Sequence, residues 1–217
     1  MFVREEIRRI QELMEAADYV TDAHIATSVH LALALRKPLL IEGHAGVGKT
    51  EVAKVMARML GTNLIRLQCY EGLDAAAALY EWNYQKQLLH IKLTESTNNR
   101  PLEEKEREIF SEPFLLRRPL LQAITQESQP PVLLVDEVDR AEEEFEAFML
   151  EVFSDWQVTI PEIGTIKATH PPYVVLTSNR TRELSDALRR RCLYLWIDYP
   201  AFEKEVRIVE RKVPGIN

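Results

Sequence analysis

The sequence predicts a three-layer α/β fold with a parallel sheet, because short apolar runs alternate with segments of helical periodicity. Five runs read as strands, at residues 38–42, 63–69, 132–135, 173–177 and 193–197. The third run, Val-Leu-Leu-Val, is apolar throughout, which is typical of a strand buried on both faces of a parallel sheet. A glycine-rich segment joins the first strand to a helix, and ligands of such sheets bind beyond the carboxyl ends of the strands.

The N-terminal part predicts two helices before the first strand. Apolar residues at spacings of three and four indicate an amphipathic helix over residues 3–17, and a second helix is predicted over 24–36. Pro38 follows the second helix and begins the first strand. After the glycine-rich segment, helical spacing continues over residues 51–60, and Gly61 is predicted to cap that helix.

The middle of the chain is less regular. Residues 74–93 look helical at first and then lose their periodicity, and the polar run 94–108 predicts either a loop or a helix with a solvated charged face. A helix is predicted over 142–156, and a small hairpin over 158–167 around a Pro/Gly turn. The final segment, 201–213, is amphipathic and begins a new packing unit.

Composition is that of an ordinary globular chain, with 46% hydrophobic and 28% charged residues among 217. No apolar run approaches the roughly 20 residues that cross a bilayer, and the N-terminus has no signal-peptide core, which together predict a cytoplasmic protein. Cys69 and Cys192 have no motif spacing and are predicted to be free thiols. The net charge of −7 argues against a general attraction to nucleic acid, and the scattered histidines form no metal-ligand pattern.

The glycine-rich segment matches the pattern G-x-x-x-x-G-K-[ST] without a mismatch. It reads Gly43-His44-Ala45-Gly46-Val47-Gly48-Lys49-Thr50. A strand before it and a helix after it are the context of a phosphate-binding loop, in which backbone N–H groups and a helix N-terminus surround an anion. Lys49 is predicted to reach the β- and γ-phosphates of a nucleotide, and the Thr50 hydroxyl to ligate Mg²⁺. His44 is interpreted as a spacer, and Glu51, next to the loop, is included among the nucleotide-binding residues.

Polar residues also follow two other strands. Asp136 ends the strand 132–135 and is predicted to hold Mg²⁺, directly or through water. Glu137 is predicted to point elsewhere and to polarise the attacking water as a general base. Asn179 follows the strand 173–177 and is predicted to orient that water, although asparagine also favours turns for its own sake.

Three adjacent arginines, Arg189, Arg190 and Arg191, precede the last strand. On a helix their side chains would spread over about 200°, so all three cannot serve one site. One of them is predicted to stabilise charge on a phosphate in the transition state. The alternative is an ordinary basic helix end that complements the helix dipole.

In their order and spacing, these motifs resemble those of the AAA+ ATPases. Residues 43–50 are similar to Walker A, 134–137 to Walker B, 177–179 to sensor 1 and 187–192 to the arginine-finger segment. The resemblance implies a P-loop NTPase (AAA+) core over residues 20–200 with ATP and Mg²⁺ as cofactors. It further implies a separate N-terminal helix over 1–19 and, over 201–217, the first helix of an otherwise missing helical lid.

Residue by residue, the resemblance assigns the arginine finger to Arg191, with Arg190 as a near alternative, and the finger would enter the nucleotide site of the next subunit. A closed head-to-tail ring follows, usually a hexamer. The same comparison places Val20 near the adenine.

A narrower resemblance is to the MoxR-type branch of the AAA+ ATPases. It rests on Asp-Glu-Val-Asp-Arg-Ala at 136–141, on the predicted hairpin between Trp156 and Tyr173, and on Asp-Tyr-Pro at 198–200. Residues 68–74 and 80–84 are similar to the subgroup associated with carbon monoxide dehydrogenase. That similarity implies a chaperone-like role in the maturation of a metalloenzyme client, together with a partner that carries a von Willebrand factor A domain.

The leading functional hypothesis is therefore a Mg²⁺-dependent ATPase that remodels or activates a partner protein. One alternative is a nucleotide-gated scaffold that binds ATP without hydrolysing it, because the lid is incomplete. Another is a nucleic-acid-directed NTPase, which the negative charge and the lack of a DNA-binding motif disfavour.

Overall fold

A computed structural model of the chain describes residues 2–94, 101–213 and 215. In chain order the helices are α1 (Phe2–Ala16), α2 (Ala23–Leu35), α3 (Lys49–Leu60), α4 (Ala75–Leu79), α5 (Tyr84–Thr94), α6 (Leu102–Ile109), α7 (Pro119–Ile124), α8 (Glu143–Asp155), α9 (Asp186–Arg189) and α10 (Phe202–Lys212). The strands are β1 (Leu39–Gly43), β2 (Leu64–Gln68), β3 (Tyr80–Trp82), β4 (Leu115–Arg117), β5 (Val132–Asp136), β6 (Gln157–Ile160), β7 (Gly164–Lys167), β8 (Tyr173–Ser178) and β9 (Leu193–Ile197).

The five predicted strands form one parallel sheet in the order β2-β5-β8-β1-β9. Alternate residues of β5 enter two separate cores: Leu133 and Val135 belong to one, Val132 and Leu134 to the other. Helices α7 and α8 cover the first face, and α1, α2 and α3 cover the second. The predicted three-layer α/β fold with a five-stranded parallel sheet is thus confirmed.

The carboxyl ends of β1, β5 and β8 meet at one edge of this sheet. Glu42 on β1 is in register with Ser178 on β8, and Asp136 at the end of β5 is in register with Gln68 on β2. Parallel strands bring all their carboxyl ends to the same side, so the phosphate loop and the polar residues after β5 and β8 become neighbours.

The segment between β2 and β5 differs from the prediction. Residues 74–93 form α4, the short strand β3 and then α5, whereas only a helix followed by an irregular stretch was expected. Strand β3 pairs antiparallel with β4, far along the chain, and such non-local pairing leaves little periodic signal over three residues. The run 94–108 contains α6, which has no buried residue, and its part 95–100 lies outside the described residues.

The other predicted elements agree with the structure within a few residues, whereas α7 was not predicted. Gly61 adopts a left-handed conformation and its N–H caps α3, as predicted. The predicted hairpin is formed by β6 and β7. Helix α10 is joined to the N-terminal part by a hydrogen-bonded ion pair between Lys204 and Asp22 at 2.8 Å. Within the described residues, no helix is both long and apolar enough to cross a bilayer.

Gly43, the last residue of β1, has no room for a side chain. A Cβ built there would lie 2.0 Å from the backbone oxygen of Ile197 on the neighbouring strand β9. We expect Gly43→Ala to lower the free energy of unfolding by about 3 kcal/mol or more, because β1 and β9 must separate to relieve the clash. The measurement is urea denaturation.

Gly61→Ala is the matched control for that substitution. Gly61 also has a positive φ, of 63°, but a Cβ there meets nothing within 4 Å. The control should cost only about 1–2 kcal/mol, the strain of an alanine in the left-handed region. Equal losses in the two variants would show that the contact with Ile197 does not restrict this position.

Candidate nucleotide-binding site

Lys49 begins α3, and its ammonium group turns back over the glycine-rich loop. Its Nζ donates hydrogen bonds to the carbonyl oxygens of Gly43 at 2.8 Å and His44 at 2.7 Å, and to Oδ1 of Asn179 at 2.7 Å. Burial lowers the pKa of Lys49 from its ordinary value, and the charges of Asp139, Asp136 and Glu137 oppose that shift. The lysine therefore links the loop after β1 to the end of β8.

The loop itself has the backbone geometry of an anion-binding turn. Gly46 and Gly48 have φ values of 85° and 93°, in the left-handed region that favours glycine, and Gly48 is the N-cap of α3. The helix that follows directs its first N–H groups toward the loop. Backbone donors and the positive end of the helix dipole thus lie where the predicted phosphates would bind.

Asp136 is the most heavily hydrogen-bonded carboxylate of the site. Its Oδ1 accepts hydrogen bonds from the hydroxyls of Thr177 at 2.5 Å and Thr50 at 3.1 Å. Its Oδ2 accepts from Nε of Arg66 at 2.9 Å and from Nη2 of the same guanidinium at 2.5 Å. The residue is only 3% exposed. Strands β2, β5 and β8 and helix α3 thus all contribute to one buried carboxylate.

The oxygen atoms of Thr50 and Asp136 fit the predicted magnesium site. Mg²⁺ prefers oxygen ligands and usually binds through one or two side chains together with phosphate oxygens and water. The described residues contain no cluster of three or more His, Cys, Asp or Glu side chains that could hold a metal by itself. Thr50 and Asp136 would therefore hold the ion jointly with a nucleotide, where it would neutralise charge on the phosphates.

Glu137 adopts an unusual backbone conformation directly after β5. Its φ and ψ are 56° and 49°, a left-handed conformation that is strained for glutamate, and its N–H donates to the Thr177 hydroxyl at 2.9 Å. The carboxylate turns away from Asp136, and its Oε2 accepts from Nε2 of Gln68 at 3.1 Å. Arg140 lies at 3.4 Å from the same oxygen. The left-handed turn explains how two consecutive carboxylates face different partners.

Asn179 is fixed by Asp139 as well as by Lys49. Its N–H donates to Oδ2 of Asp139 at 3.1 Å, and the N–H and hydroxyl of Thr181 donate to the same oxygen at 2.8 Å each. Asp139 is 2% exposed, and its Oδ1 has no hydrogen-bond partner among the described residues. Asp139 thus fixes the backbone at Asn179, whose side chain contacts Lys49, and a role of Asn179 in orienting water stays a prediction.

The three arginines do not share one helix. Helix α9 ends at Arg189, Arg190 is its C-cap and Arg191 follows it, so the predicted spread of about 200° around a helix does not apply. All three are exposed. Within the described part of the chain, their side chains make no hydrogen bond or ion pair. Arg191 is not among the residues that line the two cavities beside the predicted phosphate site.

A cavity adjoins the phosphate loop on the side of α10. It has a volume of about 480 Å³ and is lined by Val20, Gly46, Tyr199 and Ile208 among others. Val20 is 5% exposed and lines this cavity, and its position near adenine stays a prediction. Glu51 also borders this cavity, where it forms ion pairs with Arg58, Lys54 and Lys212.

His44 is more than a spacer in the loop. Its ring stacks on Tyr199 with centroids 5.1 Å apart and planes inclined by 12°, and it meets the ring of Trp196 edge-on at 5.8 Å. These contacts join the phosphate loop to β9 and to the segment that precedes α10. Position 44 is a variable position of the loop pattern, so the pattern does not predict these contacts between aromatic rings.

The two cysteine side chains are buried or half-buried thiols. Both are free thiols, as predicted, and burial raises the pKa of Cys69 and of Cys192 to about 12. For Cys69 the charges of Asp136, Asp139 and Glu137 add to the shift. Both thiols are therefore protonated at neutral pH and are poor nucleophiles.

Arg66, which lies on β2, carried no motif signal. Gln68 on β2 and Thr177 on β8 lie in segments that resemble family motifs, but that resemblance assigned them no contact with Asp136 or Glu137. Their alternating polar positions are ordinary for a strand, so their contacts with Asp136 and Glu137 depend on the strand order β2-β5-β8.

The phosphate loop follows β1, and the carboxylate of Asp136 ends β5, which lies two strands away in the sheet. Asn179 follows β8, the strand between them. This arrangement defines a P-loop NTPase. The family profile of the AAA domain (dynein-related subfamily) matches residues 38–192 of this chain. The chain belongs to that family, which implies nucleotide binding. No curated protein gives a significant sequence match.

Solved structures share the fold at low sequence identity. A Cytophaga hutchinsonii protein provisionally described as an ATPase superposes with a TM-score of 0.66 at 17% identity, over 100% of this chain and 58% of its own. A point mutant of RuvB from Thermotoga maritima superposes with a TM-score of 0.51 at 17% identity, over 94% of this chain and 50% of its own. The chain thus spans little more than half the length of either protein.

Thr177→Val tests the buried hydroxyl that joins Asp136 to the backbone of Glu137. The substitution keeps the side-chain shape but leaves the Glu137 N–H without its acceptor and removes one donor to Asp136. We expect the free energy of unfolding to fall by about 1–3 kcal/mol in urea denaturation, because buried polar groups lose their partners.

Thr159→Val is the control, since the Thr159 hydroxyl lies on the exposed hairpin and meets only that of Thr165. Its effect should stay within about 0.5 kcal/mol. A loss in Thr177→Val no larger than in this control would mean that the Thr177 hydroxyl does not hold the site together.

Proposed function

We propose that this chain is a Mg²⁺-dependent ATPase that couples ATP binding and hydrolysis to the remodelling or activation of a partner protein. The observation that carries the proposal is the convergence of Lys49, Thr50, Asp136, Glu137 and Asn179 at one edge of the sheet. Family membership supports ATPase chemistry in general. The choice of ATP, the hydrolysis step and the partner belong to the proposal.

In the proposed reaction, the chain binds the triphosphate through the loop and the start of α3. Lys49 would exchange its contacts with the Gly43 and His44 carbonyls for phosphate oxygens while remaining near Asn179. The cavity beside Val20 and Tyr199 would accept the adenine and ribose. These groups supply binding and orientation, which are the main contributions of a protein to phosphoryl transfer.

Glu137 is proposed to accept the proton of the attacking water. Its carboxylate borders an open cleft of about 840 Å³ that Asn179 also lines, so water can reach both side chains. Gln68 and Arg140 contact the carboxylate from the side and would have to release it for catalysis. Asn179 would then position the water between the base and the γ-phosphate.

Assembly into a closed ring, most simply a hexamer, is part of the proposal. Arg189, Arg190 and Arg191 are exposed and make no hydrogen bond or ion pair among the described residues, which suits a residue that acts on a neighbouring subunit. Arg191 is the proposed finger. We further propose a MoxR-type protein with a cytoplasmic, chaperone-like role in metalloenzyme maturation and a partner that carries a von Willebrand factor A domain; residues 136–141 and the β6–β7 hairpin support this assignment.

Glu137→Gln tests the proposed general base. The variant should bind ATP with an affinity close to that of the wild type but hydrolyse it more slowly by ~10²-fold or more, because an amide cannot accept the proton. Phosphate release and equilibrium binding of a fluorescent ATP analogue measure the two properties. The control is Glu144→Gln, an exposed acid on α8 that lines the same cleft. Undiminished turnover in Glu137→Gln would remove Glu137 from the mechanism.

Phosphate release measured against protein concentration tests the shared active site. Activity per subunit should rise with concentration, and Arg191→Ala should abolish the rise, because each site then lacks the arginine of its neighbour. Arg189→Ala and Arg190→Ala, compared in the same assay, show which arginine acts.

The charge control is Arg117→Ala, which removes an exposed arginine on β4. Activity that is real but independent of concentration would contradict the ring mechanism. ATP binding without any phosphate release would instead favour the nucleotide-gated scaffold.

A further inference from the structure

Arg66 makes the closest charged contact of Asp136, the proposed metal ligand. Its guanidinium donates Nε–H and Nη2–H to Oδ2 of Asp136, at 2.9 and 2.5 Å, and forms the ion pair of that carboxylate. Arg66 and Gln68 lie two residues apart on β2, so they project from the same face of the strand. Gln68 contacts both Arg66 and Glu137. Side chains of strand β2 therefore contact both Asp136, the last residue of β5, and Glu137, which follows it.

These contacts use the whole acceptor capacity of Asp136. An ionised carboxylate has about four lone-pair sites. The hydroxyls of Thr50 and Thr177 occupy two of them through Oδ1, and the two Arg66 N–H groups occupy the other two through Oδ2. A metal ion bound directly, or a metal-bound water that donates to Asp136, must therefore replace a donor that is already there.

Arg66 is the donor that can leave most easily. Thr177 is 1% exposed and also accepts from the Glu137 N–H, and Thr50 is itself a proposed ligand of the ion. The Arg66 side chain is 54% exposed, lies on the edge strand of the sheet and has a long flexible stem. A guanidinium and a divalent cation on one carboxylate would also repel each other.

The geometry points to Arg66 as a built-in counter-cation of Asp136 that competes with the divalent metal and must swing away when the metal binds. This inference rests on the proposed function, since it concerns the metal that accompanies the nucleotide. It assigns a positioning role: Arg66 keeps the buried Asp136 charge neutralised, and its departure makes metal binding depend on a rearrangement of β2 side chains. Because Arg66 must leave first, the affinity of the site for Mg²⁺ is lower than it would be if the metal ligands had no competing cation.

The test measures metal binding rather than turnover. Mg²⁺ is titrated into protein saturated with a non-hydrolysable ATP analogue, and thermal unfolding reports the concentration that gives half-maximal stabilisation. Arg66→Gln, which removes the charge, should lower this concentration by at least about fivefold. Arg66→Lys keeps a competing cation and should remain near the wild-type value. Mn²⁺ titration followed by electron paramagnetic resonance provides a direct second readout.

The same variants give a stability signature that a purely structural role would not produce. Without metal, Arg66→Gln should lower Tm by about 3 °C or more, because Asp136 loses its counter-charge. At saturating Mg²⁺ and analogue the difference from wild type should shrink, since the ion replaces the guanidinium. Arg118→Gln is the control: it removes the same charge from an ion pair with Glu81, outside the site.

The outcomes separate this inference from the proposed function. If the wild-type protein shows a Mg²⁺ response and Arg66→Gln binds the metal equally well or more weakly, Arg66 does not compete and the inference is overturned. If the wild-type protein shows no Mg²⁺-dependent stabilisation at all with the analogue, the metal-dependent function itself fails, and the inference fails with it.

Discussion

The buried carboxylate of Asp136 is the constraint on which the rest of this site depends. A carboxylate that is 3% exposed is tolerated only if its charge is neutralised and its oxygens are hydrogen-bonded. Here the partners come from α3, β2 and β8, so one side chain connects three elements that are distant in sequence. The order β2-β5-β8 is what places an arginine on one side of Asp136 and a threonine on the other.

A second set of contacts runs parallel to the first and is organised by Lys49. The ammonium group joins the loop after β1 to Asn179 after β8, and Asp139 fixes the turn that carries Asn179. Burial lowers the pKa of Lys49, and among the carboxylates that oppose this shift the charge of Asp139 contributes most. The acidic and basic groups of the site therefore hold each other in place, which is a requirement for electrostatic preorganisation.

A residue with a strained backbone, Glu137, lies between these two sets of contacts. Glu137 occupies the left-handed region, and the Thr177 hydroxyl that accepts its N–H also donates to Asp136. One threonine thus stabilises both the conformation of Glu137 and the orientation of Asp136. The turn separates the two consecutive carboxylates, so that one faces the phosphate loop and the other faces Gln68 and an open cleft. Non-glycine residues in this conformation are found mainly where surrounding contacts enforce it.

The sequence alone determined the fold class, the five sheet strands and the loop 43–50, because periodicity and glycine placement are local properties of the chain. It also identified Asp136, Glu137 and Asn179 as candidates, since each ends a recognisable strand. Only the tertiary structure decided the roles of Arg66, Gln68 and Thr177, the stacking of His44 on Tyr199 and the short β3–β4 pairing. Each of these depends on which strands or loops become neighbours, and that is a non-local consequence of packing that no short pattern contains.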